Sequence, residues 1–250
     1  MNERKQVMEA YCHHLLEVWR DRQSDASWVA LSVQTSLGGA PFAYNGTLML
    51  RTDGLDQAKH RMPRILQPQK AVERLPRPVC PVNMCWAHGH CFAFSIQDMD
   101  TPKNTATNLE NVSRLLSVIY NKYHELPASI HILLDNTCSS NKNQLMLKYW
   151  IKVLLLGCCR QVFVRFPLKG HTHNCIDALG GAAVTSCANK EFSTPEELVE
   201  TYKDFLQRVR FESSVWHRTA YKCDSQAGKL KNGSMVICLH CHLAHNSINI

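Results

Sequence analysis

The stretch Ile130-His131-Ile132-Leu133-Leu134-Asp135 is an apolar run of strand length that ends in an acid, and the polar run Asn136-Thr137-Cys138-Ser139-Ser140-Asn141-Lys142-Asn143 follows it. Such a run, bounded by turn-forming residues, predicts a buried strand with Asp135 at its C-terminal edge. In open α/β sheets that edge collects ligands, because loops there face solvent while the strand behind them is rigid. Upstream, Thr47-Leu48-Met49-Leu50-Arg51-Thr52 leads into Asp53, with Asp56 three residues on. Downstream, the apolar run from Gln161 to Pro167 leads into Gly170-His171-Thr172-His173-Asn174-Cys175-Ile176-Asp177. If the strands bearing Asp53 and Asp135 lie side by side, and a helix starting near Asn174 brings Asp177 to them, three carboxylates converge. Like charges at that spacing raise one another's pKa unless a cation neutralises them, and hard ions such as Mg²⁺ or Mn²⁺ take oxygen ligands of this kind.

Composition sets the outer bounds. A chain of 250 residues with 45% hydrophobic content can build one domain of ordinary size plus extensions. Lys and Arg outnumber Asp and Glu by 28 to 21, a net charge of +7 that mildly favours polyanionic partners. No apolar h-region follows Met1, and no apolar stretch approaches the roughly 18 residues of a membrane span. An intracellular chain, nuclear or cytoplasmic and without a membrane partner, is therefore expected. Its twelve scattered cysteines then read as reduced, and the sequons at Asn45, Asn111 and Asn232 carry no weight.

Helical spacing of Val7, Tyr11, Leu15, Val18 and Trp19 predicts an amphipathic helix over 3–22, ending at Arg20-Asp21-Arg22 and packing on the main domain. Gly38-Gly39, Pro41 and Gly46 make a turn-rich approach to the first strand. The stretch from Lys59 to Arg77, with Pro63, Pro68 and Pro76 among many bases, reads as an inserted exposed loop. Two strands flank His88-Gly89-His90 as a hairpin. The Thr107-x-x-Glu110 box with an apolar face from Leu109 to Tyr123 predicts a helix over 108–124. A helix over 143–156, apolar nearly all round, is expected to be buried and to end at Gly157. Thr194-Pro195-Glu196-Glu197 starts a last helix, and beyond residue 212 the pattern fades. The order β-β-β-α-β-α-β-α matches the α/β, ribonuclease H-like fold: a mixed five-stranded sheet, an antiparallel meander of three strands plus two parallel ones, flanked by helices. Three regions follow: a helical extension over 1–44, this domain over 45–210, and a C-terminal tail over 211–250, whose Gly-, Ser- and Lys-rich stretch from Ser225 to Ser234 reads as disordered.

Asp53-Gly54-Leu55-Asp56-Gln57-Ala58-Lys59 with Pro63-Arg64, then Leu134-Asp135-Asn136 with Asn141-Lys142-Asn143, then His171-Thr172-His173 with Ile176-Asp177, together resemble a transposon-associated eukaryotic domain family. Its core is ribonuclease H-like, of the DDE transposase and integrase type. The resemblance covers about residues 45 to 210. It implies catalytic carboxylates at Asp53, Asp135 and Asp177 that bind two metal ions, here Mg²⁺ or Mn²⁺; His171 and His173, two apart and so on one side of an extended segment, either ligate metal or donate a proton, or His171 bonds the backbone at the strand-helix junction. DNA is the implied substrate, its backbone held by Lys59, Arg61, Arg64 and Lys142. Asp56 competes for the first position, and His171, His173 or Glu191 for the third. Acids of this kind also cap turns and helices, and Asn136, Asn141 and Asn143 serve as caps as readily as phosphate contacts.

Two Cys/His clusters, Cys80-Cys85-His88-His90-Cys91 and Cys238-His240-Cys241-His242-His245, lack regular finger spacing, so zinc is not the expected metal. Two functions stay open: a transposase-derived, metal-dependent nuclease or strand-transfer domain, and a catalytically inactive, domesticated descendant that binds nucleic acid or protein.

Overall fold

The apolar run Thr47–Gly54, buried on both faces from Thr47 to Arg51, forms the first strand, β1, whose Leu48 and Leu50 point to one face while Met49, Arg51 and Asp53 point to the other. The computed structural model describes residues 2–37, 46–99, 101–168, 175–212, 221–222, 225–229, 235–240 and 242–243, and the side chains of residues 4–35, 46–70, 73–99, 101–168 and 175–209. In chain order these form α1 (Asn2–Leu37), β1, a 3₁₀ turn (Gln57–His60), α2 (Lys70–Glu73), β2 (Val82–Ala87), β3 (Cys91–Ile96), α3 (Thr105–Tyr123), β4 (Ser129–Leu133) and α4 (Gln144–Leu155). There follow β5 (Gln161–Arg165), α5 (Cys175–Ser186), α6 (Pro195–Glu212), β6 (Tyr221–Lys222), β7 (Ser225–Lys229), β8 (Met235–His240) and β9 (His242–Leu243).

The sheet runs β5-β4-β1-β2-β3-β8-β7. Strands β1, β2 and β3 form the antiparallel meander, and β4 and β5 add parallel partners to β1. This is the ribonuclease H-like arrangement, in which the crossover helices α3 and α4 return the chain to parallel register. Beyond the five expected strands, β8 pairs with β3 and β7 with β8, lengthening the meander edge; β6 and β9 pair separately. The hairpin turns at Gly89 with φ +78°, a conformation that glycine adopts without strain.

One face of the sheet is covered by α3 and α4, with Val112, Leu116, Ile119, Met146 and Trp150 against Leu48, Leu50, Ile130 and Ile132. The other is covered over β2 and β3 by α5 and α6, with Ile176, Ala183, Leu198, Tyr202 and Phe205 on Met84, Phe92 and Phe94. The C-terminal half of α1 lies on the remaining part of that second face, where Trp28 stacks on His131 at 3.6 Å and His131 on Phe163 at 4.3 Å. Ser32 fastens it: its hydroxyl donates to the His88 carbonyl at 2.7 Å and accepts from the Met49 amide at 3.0 Å.

Three expectations change. The first helix does not stop at Arg22 but runs to Leu37, because Asp25, which breaks the apolar pattern, pairs with the buried Arg51 and the half-buried Arg165. Its first four turns do not pack on the domain, Val7 being 68% exposed and Tyr11 56%; of the expected apolar face only Val18 is buried. The third helix starts at Thr105, capped by Asn104, whose side chain accepts from the Thr107 amide at 3.0 Å, so Thr107 and Glu110 lie inside it. Helix α4 is not buried all round: Met146, Trp150 and Val153 face the core, while Leu145, Leu147, Ile151 and Leu155 are exposed. Three inward positions suffice to dock a three-turn helix, so its outer leucines are free to meet solvent. The turn over 38–45 lies outside the described residues. No described helix is long and apolar enough to cross a membrane, and no disulfide links the described cysteines.

Candidate active site

The parallel pairing of β1 with β4 sets Arg51 opposite Leu133, and Asp53 and Asp135 each stand two residues beyond that pair. With a side-chain period of two, both acids share the face of Arg51 and Leu133. Asp177 arrives from the first turn of α5, which packs on β1 and β2. The three acids line one cleft with Arg51, Thr52, Leu133 and Pro167. Asp53 Oδ1 accepts from the Gly54 amide at 2.8 Å, and Asp135 Oδ1 from the Asn136 amide at 2.6 Å, so each strand-end carboxylate is oriented by its own turn.

Burial pushes the Asp53 carboxyl up to about 6; the Asp177 charge adds to the rise, the Gly54 amide opposes it, and a hydrogen bond with Asp177 and the Asp135 charge raise it further. Carboxylates gathered this closely repel one another when ionised, and a divalent cation among them would neutralise that charge. The donor chemistry of the trio thus fits Mg²⁺ or Mn²⁺. Among the described residues no three His, Cys, Asp or Glu side chains already form a metal-holding group.

Helix α5 comes this close to the sheet because residue 180 has no side chain. A Cβ there would fall 2.7 Å from Leu55 Cδ2 and 2.7 Å from Met84 Cε. Gly180 therefore sets the height of Asp177 over β1, a role the Ala178-Leu179-Gly180-Gly181 sequence did not advertise.

Asp56 is not part of the cleft: it caps the 3₁₀ turn, its Oδ1 accepting from the Ala58 amide at 3.0 Å. Glu191 accepts from the Leu66 amide at 2.8 Å, holding the loop that Arg64 also anchors. His171 and His173 lie outside the described residues, as do the side chains of the Cys238 to His245 cluster. In the other cluster His88 and His90 are buried, which pushes both imidazoles down to about 3.

Of the expected backbone-binding bases, Lys59, Arg61 and Lys142 are exposed. Arg64 has a structural occupation: it donates to the carbonyls of Lys59 at 3.1 Å and Ala188 at 3.2 Å and lies over the Phe192 ring. Asn143 caps α4, its side chain accepting from the Met146 amide at 3.1 Å, and the Asn136 amide donates to the Pro167 carbonyl. Asn141 accepts from Asn108 Nδ2 at 2.8 Å.

The residues that sequence reading missed are the charges behind the acids. Arg51, two residues before Asp53 on the same face, lies 3.7 Å from Asp25 and donates to Cys175 Sγ at 3.2 Å. Arg165, at the same register on β5, bonds Asp25 at 2.7 Å and also Asp21. Burial raises the Asp25 carboxyl more than the two arginines lower it. The one available signal was an arginine in an otherwise apolar strand, since a buried cation requires a partner.

The fold and the cleft define an α/β domain of the ribonuclease H-like class with carboxylates at its strand ends. The chain belongs to the family described as a domain of unknown function, DUF7869, whose profile matches residues 82–225, more than half of the chain. That span includes Asp135 and Asp177 and begins after Asp53. Among solved structures, the Mos1 mariner paired-end complex with Mn is similar at 12% identity and a TM-score of 0.43, covering 74% of this chain and 54% of that one. A pre-cleavage Mos1 transpososome is similar at 11% identity and a TM-score of 0.42, covering 74% and 53%. The chain thus spans about half the length of these transposase chains. No curated protein matches it.

Proposed function

We propose that this chain is a transposase-derived, metal-dependent phosphoryl-transfer domain that acts on DNA as a nuclease or strand-transfer unit. The observation that carries the reading is the single cleft shared by Asp53, Asp135 and Asp177, where burial and the Asp177 charge raise the Asp53 carboxyl. Asp53 and Asp135 are fixed by strands and their turns, and Asp177 comes from a helix start, where the amide ends favour a carboxylate. Mg²⁺ or Mn²⁺ held by these acids would supply activation of a water or 3′-hydroxyl and stabilisation of the leaving oxygen. Of the chain's own residues, the acids hold charge at one point, Leu133 and Pro167 wall the cleft, and exposed Lys59, Arg61 and Lys142 attract the phosphate backbone.

A second reading is favoured by Arg51, a basic residue that lines the same cleft. A fixed cation beside the acids can take over part of a metal's neutralising role, as a non-catalytic binder of nucleic acid or protein would permit. The deciding experiment titrates Mn²⁺ calorimetrically into wild type and Asp135→Asn and follows cleavage of labelled DNA with Mg²⁺ or Mn²⁺. The amide keeps the volume and loses the charge. We expect the variant to fold, to lose Mn²⁺ binding, and to cleave more than about a hundredfold more slowly, beyond the usual loss for residues that merely support a ligand. Binding or cleavage equal to wild type would sink the phosphoryl-transfer reading; no binding by either protein would favour the second.

A further inference from the structure

A second, polar pocket opens on the opposite side of Asp53 and Asp135 from Asp177, against α3. Its wall is a hydrogen-bond chain: Asn108 Nδ2 donates to Asn141 Oδ1 at 2.8 Å, Asn141 Nδ2 donates to Thr137 Oγ1 at 3.3 Å, and the Thr137 and Ser140 hydroxyls meet at 2.5 Å. These groups are largely spent on one another. Asn111, only 7% exposed, lines the same pocket, and its Oδ1 is occupied by the Ser95 hydroxyl at 2.6 Å. Its Nδ2 has no partner. A buried amide donor left without an acceptor costs roughly 1–3 kcal/mol, and an acceptor placed in the pocket would recover it.

The other donor is Lys103, an exposed residue of the loop before α3 that also lines the pocket. Its Nζ lies beside the backbone of Gly54, 3.4 Å from where a Cβ would stand, an ordinary contact distance. The ammonium therefore rests over the backbone of the residue that follows Asp53. The pocket thus presents two kinds of donor, an exposed ammonium and a buried amide without a partner, next to the carboxylate cleft. A ligand for such donors is an oxyanion carrying one charge, since a more highly charged one would meet Asp53 and Asp135 at the rim.

We propose that this pocket holds a phosphodiester of the DNA strand, adjacent to the one at the acids, with Lys103 and Asn111 as its binding residues. The proposal rests on the DNA reading above for its substrate class. It deepens that reading by giving the strand a path from the acid cleft across Gly54 toward α3. Lys103 would act through charge and Asn111 through a directed hydrogen bond, and neither would touch the reacting atoms.

The probe is the dinucleotide TpT, two thymidines joined by one phosphodiester, titrated without divalent metal into ¹⁵N-labelled protein while side-chain amide resonances are followed by NMR. We expect saturable movement of the Asn111 amide with TpT, little with thymidine alone, and about fivefold weaker TpT binding in Lys103→Met, the loss of one charge-assisted contact. Lys152→Met, the same charge change on α4, should bind like wild type. Equal effects of thymidine, equal loss in both lysine variants, or an unmoved Asn111 amide would each overturn the pocket. A protein that shows the expected TpT binding and never cleaves DNA keeps the pocket and loses the nuclease reading. One that cleaves DNA with Asn111 unmoved does the reverse.

Discussion

The two faces of the sheet are built on different chemistry. Against α3 and α4 the contact is aliphatic and aromatic, and at its end neutral amides and hydroxyls gather around Lys103, with Asp53 and Asp135 at the rim. Against α1 and α5 the strands β1, β4 and β5 carry Arg51, His131, Arg165 and the acids, partnered by Asp21, Asp25, Trp28 and Asp177. The first face can be assembled from hydrophobic burial alone. The second needs charges to find each other across more than a hundred residues of chain, so it specifies position at an energetic cost, and the candidate site lies on it.

The largest test of that contrast removes Asp25. Arg51, 8% exposed, and Arg165, 25% exposed, would then share only Asp21, which touches Arg165 alone. Asp25→Ala should cost about 3 kcal/mol in urea unfolding, the scale of a buried cation left unpaired. A cost under about 1 kcal/mol would show that the charged face is solvated. Gly180→Val follows, at about 2 kcal/mol, because a Cβ must displace Leu55 and Met84 from a packed interface. The same change should weaken Mn²⁺ binding by lifting Asp177; full-strength binding would separate Asp177 from the ions.

Asp53 gives a pH test. Its folded value near 6 exceeds the ordinary 3.8, so the native state binds the proton more tightly than the unfolded chain. The resulting stability is fully present below pH about 4 and is lost as pH rises through about 6. Asp53→Asn should therefore be more stable than wild type by about 1.5 kcal/mol at pH 7, allowing for partial exposure, with the gap closing at pH 4. A gap that persists at pH 4 would assign it to packing. The smallest effect belongs behind α6, where Tyr202 hydroxyl meets His60 Nε2 at 2.6 Å within the core. Tyr202→Phe should cost about 1 kcal/mol by leaving that nitrogen unpaired, measured by thermal unfolding. No change would mean that the neutral imidazole turns to another partner.

Local pattern explains which of these features were legible. Strand ends, the Gly89 hairpin and the Asn143 and Thr194 helix starts depend on residues within a few positions, and they stand close to where the sequence puts them. Asp53 and Asp135 could be placed because parallel neighbours share register. Asp56 looked equivalent to Asp53, and only its capping bond to Ala58 separates them. The length of α1 was illegible because Asp25 is polar for the sake of Arg165, a partner 140 residues away in sequence. Helix α4 misled in the opposite sense, since outward leucines carry the same letters as inward ones.

The sequence by itself determined the order of strands and helices, the ribonuclease H-like topology that follows from it, and the acids at two strand ends, because periodicity, caps and right-handed crossovers act through near neighbours. Only the tertiary structure decided which acids share a cleft, that Arg51 and Arg165 are neutralised by α1, and that Asn111 keeps a donor without an acceptor. Those outcomes depend on which side chains meet across the sheet and how close Gly54 and Gly180 let their neighbours come, and no local pattern encodes a distance.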